Sequence, residues 1–176
     1  MTRTYLIDDF RTPWQASSGR HWRYVSDRVM GGVSEGRADY AKLGGRSALR
    51  LSGQVSLENN GGFIQLALDL HDDAEPFDAS AFDGVEIMQC GDGGRYAINL
   101  RSSDVRRPWE SYRAPFTSTR EWQALRLPFA GFRPHRIDRP LAPHKLKRIG
   151  VIAIGTAGPV DLAVARLAFY SDAAAA

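Results

Sequence analysis

Serine, glycine and acid come together in Gly32-Val33-Ser34-Glu35-Gly36, which fits the G-x-S-x-G spacing of a nucleophile elbow. In such an elbow a strained strand-to-helix turn lifts the serine hydroxyl toward a histidine base. The chemistry needs a helix after the serine and a parallel α/β sheet around it, and neither is legible here; the candidate bases His135 and His144 come from a proline-rich stretch. Ser34 is read as non-catalytic, and its replacement by alanine is expected to change nothing. Gly91-Asp92-Gly93-Gly94 is glycine-rich like a phosphate loop, yet it joins two strand-like runs and reads as a hairpin turn. Asp69, Asp72, Asp73, Glu75 and Asp78 have carboxylates enough for calcium but lack the spacing and central glycine of an EF-hand loop. His21, His71, His135 and His144 are scattered, and Cys90 is the only cysteine, so no zinc motif and no intrachain disulfide can be built. The chain is expected to be no enzyme and to carry no metal and no cofactor.

A chain of 176 residues, 43% hydrophobic and 24% charged, can bury a core without staples and lies far from the composition of a disordered segment. One domain over 1–172 is expected, followed by a frayed alanine tail over 173–176. Asp8 and Asp9 interrupt the N-terminus before an apolar run of signal-peptide length can form, and no stretch approaches the roughly 20 apolar residues of a membrane span. No integral membrane association is expected. Net charge is only +3, yet Arg133, Arg136, Arg139, Lys145, Lys147 and Arg148 crowd one segment holding a single acid, Asp138. Pro134, Pro140 and Pro143 make this segment a loop, either a solvated connection or a patch facing an anionic partner. It lacks the interleaved aromatics that single-stranded nucleic acid needs, so no nucleic-acid partner is expected.

The elements that must position these residues are strands. In Ala48–Leu57, Leu49, Leu51, Val55 and Leu57 alternate with polar residues, and in Phe63–Leu70 the alternation recurs through Ile64, Leu66, Leu68 and Leu70. Glu58-Asn59-Asn60-Gly61-Gly62 between them supplies residues that accept positive φ, which predicts a hairpin. Further strands are predicted at Val85–Gln89, Tyr96–Arg101, Trp122–Leu127, Ile149–Ile154 and Val160–Tyr170, and no long amphipathic helix is visible. The last strand changes phase, with Val160, Leu162 and Val164 on one face and Leu167 and Phe169 on the other, as a bulge would cause. Many short strands with Gly/Pro punctuation predict an all-β fold, a jelly-roll-like antiparallel sandwich.

Two dense clusters remain. Trp22 to Ser34 reads W-x-x-V-S-D-x-V-M-G-G-x-S, and Gly53 to Phe63 reads G-x-V-S-L-E-N-N-G-G-F. They resemble the two signature motifs of the complex I intermediate-associated protein 30 family, and the resemblance continues through Phe82-Asp83-Gly84-Val85, Gly91-Asp92-Gly93, Tyr96, Asn99-Leu100-Arg101, Trp122 and Leu127-Pro128-Phe129. Ser26 stands where the family commonly has asparagine, and Gly158-Pro159-Val160 replaces its glycine-proline-phenylalanine. The resemblance implies a galactose-binding-like sandwich and, by analogy with mitochondrial members, a non-catalytic assembly factor or chaperone for NADH:ubiquinone oxidoreductase, with complex I subunits or intermediates as protein partners. Without a transit-like leader the expected setting is the bacterial cytoplasm, at most peripheral to the inner membrane. The motif residues carried over as binding candidates are Trp22, Asp27, Met30, Gly31, Gly32, Ser34, Glu58, Asn59 and Asn60.

Physically, an acid followed closely by two glycines can curl backbone N–H groups onto its own carboxylate or onto a ligand. We expect the first arrangement, with Asp27→Ala costing roughly 1–3 kcal/mol of stability. Turn chemistry accounts for Asn59 and Asn60 and leaves Glu58 unexplained. A carbohydrate or other small-ligand module is the alternative reading, with Trp109 and Tyr112, flanked by Arg107 and Arg113, as its exposed aromatics.

Overall fold

Strand β12 (Gly158–Ser171) is the spine of one sheet, because its 14 residues give both β4 (Arg46–Val55) and β1 (Arg3–Asp8) a partner on one side and β6 (Gly84–Gly91) on the other. β3 (Glu35–Leu43) and β9 (Gln123–Pro128) form the edges of this first sheet, whose order is β3-β4-β12-β6-β9 with β1 also on β12. The second sheet runs β10 (Arg133–His135), β8 (Ser111–Thr117), β7 (Arg95–Ser102), β11 (Leu146–Ile154), β5 (Phe63–Asp69) and β2 (Arg23–Ser26). All pairings are antiparallel. This computed structural model describes residues 2–71 and 75–172, and among them the helical segments are short 3-10 turns.

The sheets pack face to face over one core. Leu49, Leu51, Ile87, Leu162 and Phe169 enter it from the first sheet, and Ile64, Leu66, Ile98, Leu100 and Val151 from the second. Each such side chain, removed from water, contributes about 1.5–3 kcal/mol. Val160, Leu162, Val164, Leu167 and Phe169 all belong to this core, because the register of β12 against β6 shifts between Val164 and Arg166. The bulge reverses the alternation, so both halves of the strand face inward, as the change of phase requires.

The predicted hairpin between Phe63–Leu70 and the preceding strand is not formed. β4 pairs with β3 and β12, whereas β5 pairs with β11 and β2, so Glu58-Asn59-Asn60-Gly61-Gly62 carries the chain from one sheet to the other. Alternation says that each strand owns a core face; it does not say whether two such strands lie side by side or opposite one another across the core. Gly91-Asp92-Gly93-Gly94 is corrected in the same way, since it links β6 in the first sheet to β7 in the second. The tight hairpin lies instead between β3 and β4, where Gly44 and Gly45 adopt φ 57° and 78° in a two-residue loop. β1, β2, β3, β8 and β10 escape the sequence pattern because they are short, edge-placed or, in β8 and β10, interrupted by proline.

Candidate functional site

The two motif clusters meet at one end of the sandwich. β2 ends at Ser26, whose hydroxyl accepts from Arg28 N at 3.3 Å and starts a 3-10 turn over Asp27–Met30 that closes on Gly31 at φ 87°. Asp27 is completely buried. Its carboxylate accepts from Ser34 N (3.0 Å) and Ser34 Oγ (2.5 Å) in its own cluster, and from Gly62 N (2.6 Å) and Phe63 N (3.3 Å) in the other. Ser34 Oγ in turn accepts from Ser56 N at 2.9 Å, and Asn59 Nδ2 donates to Gly31 O at 3.3 Å. One carboxylate thus binds the start of β3 to the crossover between sheets.

The glycines follow from this close approach. A Cβ on Gly32 would lie 2.4 Å from Asp27 Cγ, and one on Gly61 would lie 2.5 Å from Asp27 Oδ2. Asn59 and Asn60 hold φ near 56° and 57°, a left-handed conformation that asparagine tolerates. Burial pushes the Asp27 carboxyl up, but the Ser34 hydroxyl and the amides of Gly62, Ser34 and Phe63 outweigh it and hold the group below the ordinary aspartate value. Asp27 is therefore an ionised, structural anion satisfied by dipoles.

What this knot turns outward is apolar. Val29 is 76% exposed, Met30 57% and Leu57 50%, and Gly31, Glu58, Asn59 and Asn60 are exposed beside them. Val29 and Leu57 are additions to the sequence-derived candidates. For Val29 the signal was available, because large apolar residues inside a turn that an acid and two glycines must tighten have no room to point inward; Leu57 is a correction, since β4 ends at Val55 and leaves this expected core position exposed in the crossover. Trp22 does not join this surface. It is buried, packs on Phe10 and donates from Nε1 to Asp8 at 2.7 Å.

Ser34 is fully buried, with its hydroxyl shared between Asp27 and Ser56, and β3 rather than a helix follows it. No strand-to-helix elbow is formed there, and those bonds give the hydroxyl a structural role that argues against the expected indifference to replacement. The six basic residues of the Pro-rich segment do not form one patch. Arg139 and Lys145 converge on Asp104 (3.4 and 2.7 Å), and Arg148 pairs with Asp69 at 2.7 Å. Lys147 is half-buried on β11, and Arg133 and Arg136 lie at and just beyond β10, so the segment is partly strand. Tyr112 is completely buried in the core and cannot serve a ligand surface, while Trp109 is 48% exposed beneath the Arg107 guanidinium. Asp72 and Asp73 of the acidic cluster lie outside the described residues; Asp69 is taken by arginines and Asp78 caps Ser80 N. Among the described residues no three His, Cys, Asp or Glu are grouped to hold a metal ion, and no helix is long and apolar enough to cross a membrane.

Several solved structures share this architecture. The family 11 carbohydrate-binding module from Clostridium thermocellum, in complex with a β-1,3-1,4-mixed-linked tetrasaccharide, superposes with a TM-score of 0.70 at 16% identity, over 94% of each chain. The family 11 module of the cellulosomal cellulase Lic26A-Cel5E of Clostridium thermocellum gives 0.72 at 15% identity, over 95% of this chain and 94% of the other. The family 30 module of the Clostridium thermocellum cellulase Cel9D-Cel44B gives 0.65 at 17% identity, over 98% of both. At these identities the likeness is one of fold, a jelly-roll-like, galactose-binding-like β-sandwich. A search of the curated proteins finds no match. The family model described as complex I intermediate-associated protein 30 matches residues 9–164, a span that holds Asp27 and both glycine-rich loops it ties together, and the chain belongs to that family.

Proposed function

We propose that this chain is a non-catalytic binding module that grips a protein partner through the Val29, Met30 and Leu57 tip, and that the partner is a subunit or assembly intermediate of NADH:ubiquinone oxidoreductase. The observation that carries the reading is the inversion at the motif: its acid is buried and saturated, whereas its large apolar residues stand in water. Exposed apolar residues on a rigid loop cost solubility and gain only when a partner covers them. Family membership supports the identity of that partner. Asp27 and Ser34 then act by holding the tip still, so that little conformational entropy is lost on docking.

The carbohydrate reading has the fold in its favour and the surface against it. Among the described residues, the outward face of the second sheet presents Ala67, Ala97, Gly150 and Pro115 along its middle, and Phe63 is the aromatic that alternates onto it, at the end of β5. The test is native capture of complex I subunits, identified by mass spectrometry, from the membranes of cells expressing the chain. Val29→Ser/Met30→Ser should lose the capture while melting within a degree or two of the wild type. Undiminished capture by that variant would remove the tip from the account, and capture of no complex I subunit by the wild type would remove the partner.

A further inference from the structure

On the second sheet, the face turned away from the core carries a row of direct cross-strand neighbours. Arg133 on β10 stands opposite Arg113 on β8, Arg113 opposite Asn99 on β7, Asn99 opposite Gly150 on β11, and Gly150 opposite Ala67 on β5. Opposed residues of an antiparallel pair project to the same side. At the β10 end of this row, Arg95, Ala97, Arg113, Pro115, Arg133 and His135 line a groove of about 310 Å³, at the small end of the range for organic ligands.

Three polar atoms of this face are sealed from solvent and have no hydrogen-bond partner: Arg113 Nε, Asn99 Oδ1 and Ser111 Oγ. Ser111 is only 3% exposed, lies two residues before Arg113 on the same face of β8 and stands opposite His135. Among the described residues no carboxylate pairs with Arg95, Arg113, Arg133 or Arg136, whereas Arg139, Lys145 and Arg148 are all paired. Burial and then Arg136 push the Arg113 guanidinium down, and burial followed by Arg113 and Arg136 push His135 down; no acid offsets either. A half-buried guanidinium that faces other cations is an uncompensated charge, and of the three orphaned atoms the one belonging to the groove lining, Arg113 Nε, is a donor that lacks an acceptor.

We propose that this groove binds a small soluble phosphate monoester, its oxyanion held by the guanidinium forks of Arg113 and Arg133 and its apolar body resting on Ala97 and Pro115. Three lining arginines without a counter-charge, Arg95, Arg113 and Arg133, suit a group carrying nearly two negative charges better than a single carboxylate. The guanidinium fork matches the geometry of such an oxyanion. The site shares no residue with the Val29, Met30 and Leu57 tip, and it stands whether or not that tip binds a protein.

Phenyl phosphate is the probe, titrated at low salt while the amide resonances of Ala97, Asn99 and Arg113 are followed by NMR. Saturable shifts are expected, weakening as salt rises. Arg113→Met should weaken binding by at least about tenfold, the loss of one charge-assisted fork. Arg133→Gln, on an exposed residue that cannot threaten the fold, should weaken it about threefold or more. Arg148→Gln, whose guanidinium is already paired with Asp69, should stay within about twofold. The proposal is overturned if phenol binds as well as phenyl phosphate, if Arg148→Gln weakens binding as much as Arg113→Met, or if no shift saturates. It is equally overturned if vesicles containing phosphatidic acid capture the protein while phenyl phosphate leaves these resonances unmoved, because the ligand is then a lipid surface.

Discussion

Asp27 and Arg113 are both charges drawn out of water, and the protein treats them in opposite ways. Asp27 is enclosed and, among the described residues, forms no ion pair, yet it receives four hydrogen bonds and stays ionised. Arg113 is less deeply buried, but it faces Arg133 across the strands and has a sealed, unpartnered Nε. The first is a finished structural device and the second a charge still lacking its partner. A buried charge by itself therefore says nothing about function; what decides is whether the fold completes its hydrogen bonding.

The sharpest way to break this contrast is Asp27→Ala. It strands the amides of Ser34, Gly62 and Phe63 together, so stability should fall by about 3–5 kcal/mol, above the single-donor cost expected from the motif alone. Urea denaturation measures this, and a loss below about 1 kcal/mol would mean that the knot is not the fold's tie. The pH dependence has a definite sign. Because the folded-state pKa of Asp27 lies below its ordinary value, its contribution is complete above about pH 4 and is lost as the pH falls through the folded value. Asp27→Asn should accordingly flatten the acid limb of a stability-versus-pH profile, and an unchanged limb would assign acid sensitivity elsewhere.

Ser34→Ala comes next. It removes a hydroxyl that donates to Asp27 and accepts from Ser56 N, so a loss of about 1–3 kcal/mol is expected, against the indifference that the elbow-like spacing suggested. The smallest effect, opposite in sign, belongs to the other region: Arg113→Met should raise stability by a few tenths to about 1 kcal/mol, because it removes a desolvated charge that nothing offsets. A clear loss of stability there would show Arg113 to be structural like Asp27 and dissolve the comparison.

Much of the architecture was legible in the residues. The alternating runs at Leu49–Val55 and Ile64–Leu68 are strands with core faces, whereas Leu57, read as a core position of the first run, lies beyond β4 and is exposed; the phase change in Val160–Phe169 is a bulge. The motif residues Asp27, Gly31, Gly32 and Ser34 do act as one unit, and the structural reading of Asp27 agrees with its bonding. Less legible was pairing. Period-2 alternation looks the same for a neighbour in the sheet and for a strand across the core, so the loops at 58–62 and 91–94 read as hairpins when they are crossovers.

By itself, then, the sequence determined what depends on local chemistry: the long alternating strands at β4, β5, β6, β7, β9, β11 and β12, the inward face along most of each, and the need for glycine next to an acid. Tertiary structure alone decided which groups ended up complete. Gly62 and Phe63 reach Asp27 from 35 and 36 residues away, and Asp104 neutralises Lys145 from 41 residues away. Arg113 is left beside Arg133 because β8 and β10 happen to pair in that register. A charge's hydrogen-bond balance is a sum over neighbours in space, and neighbours in space are what a one-dimensional pattern does not contain.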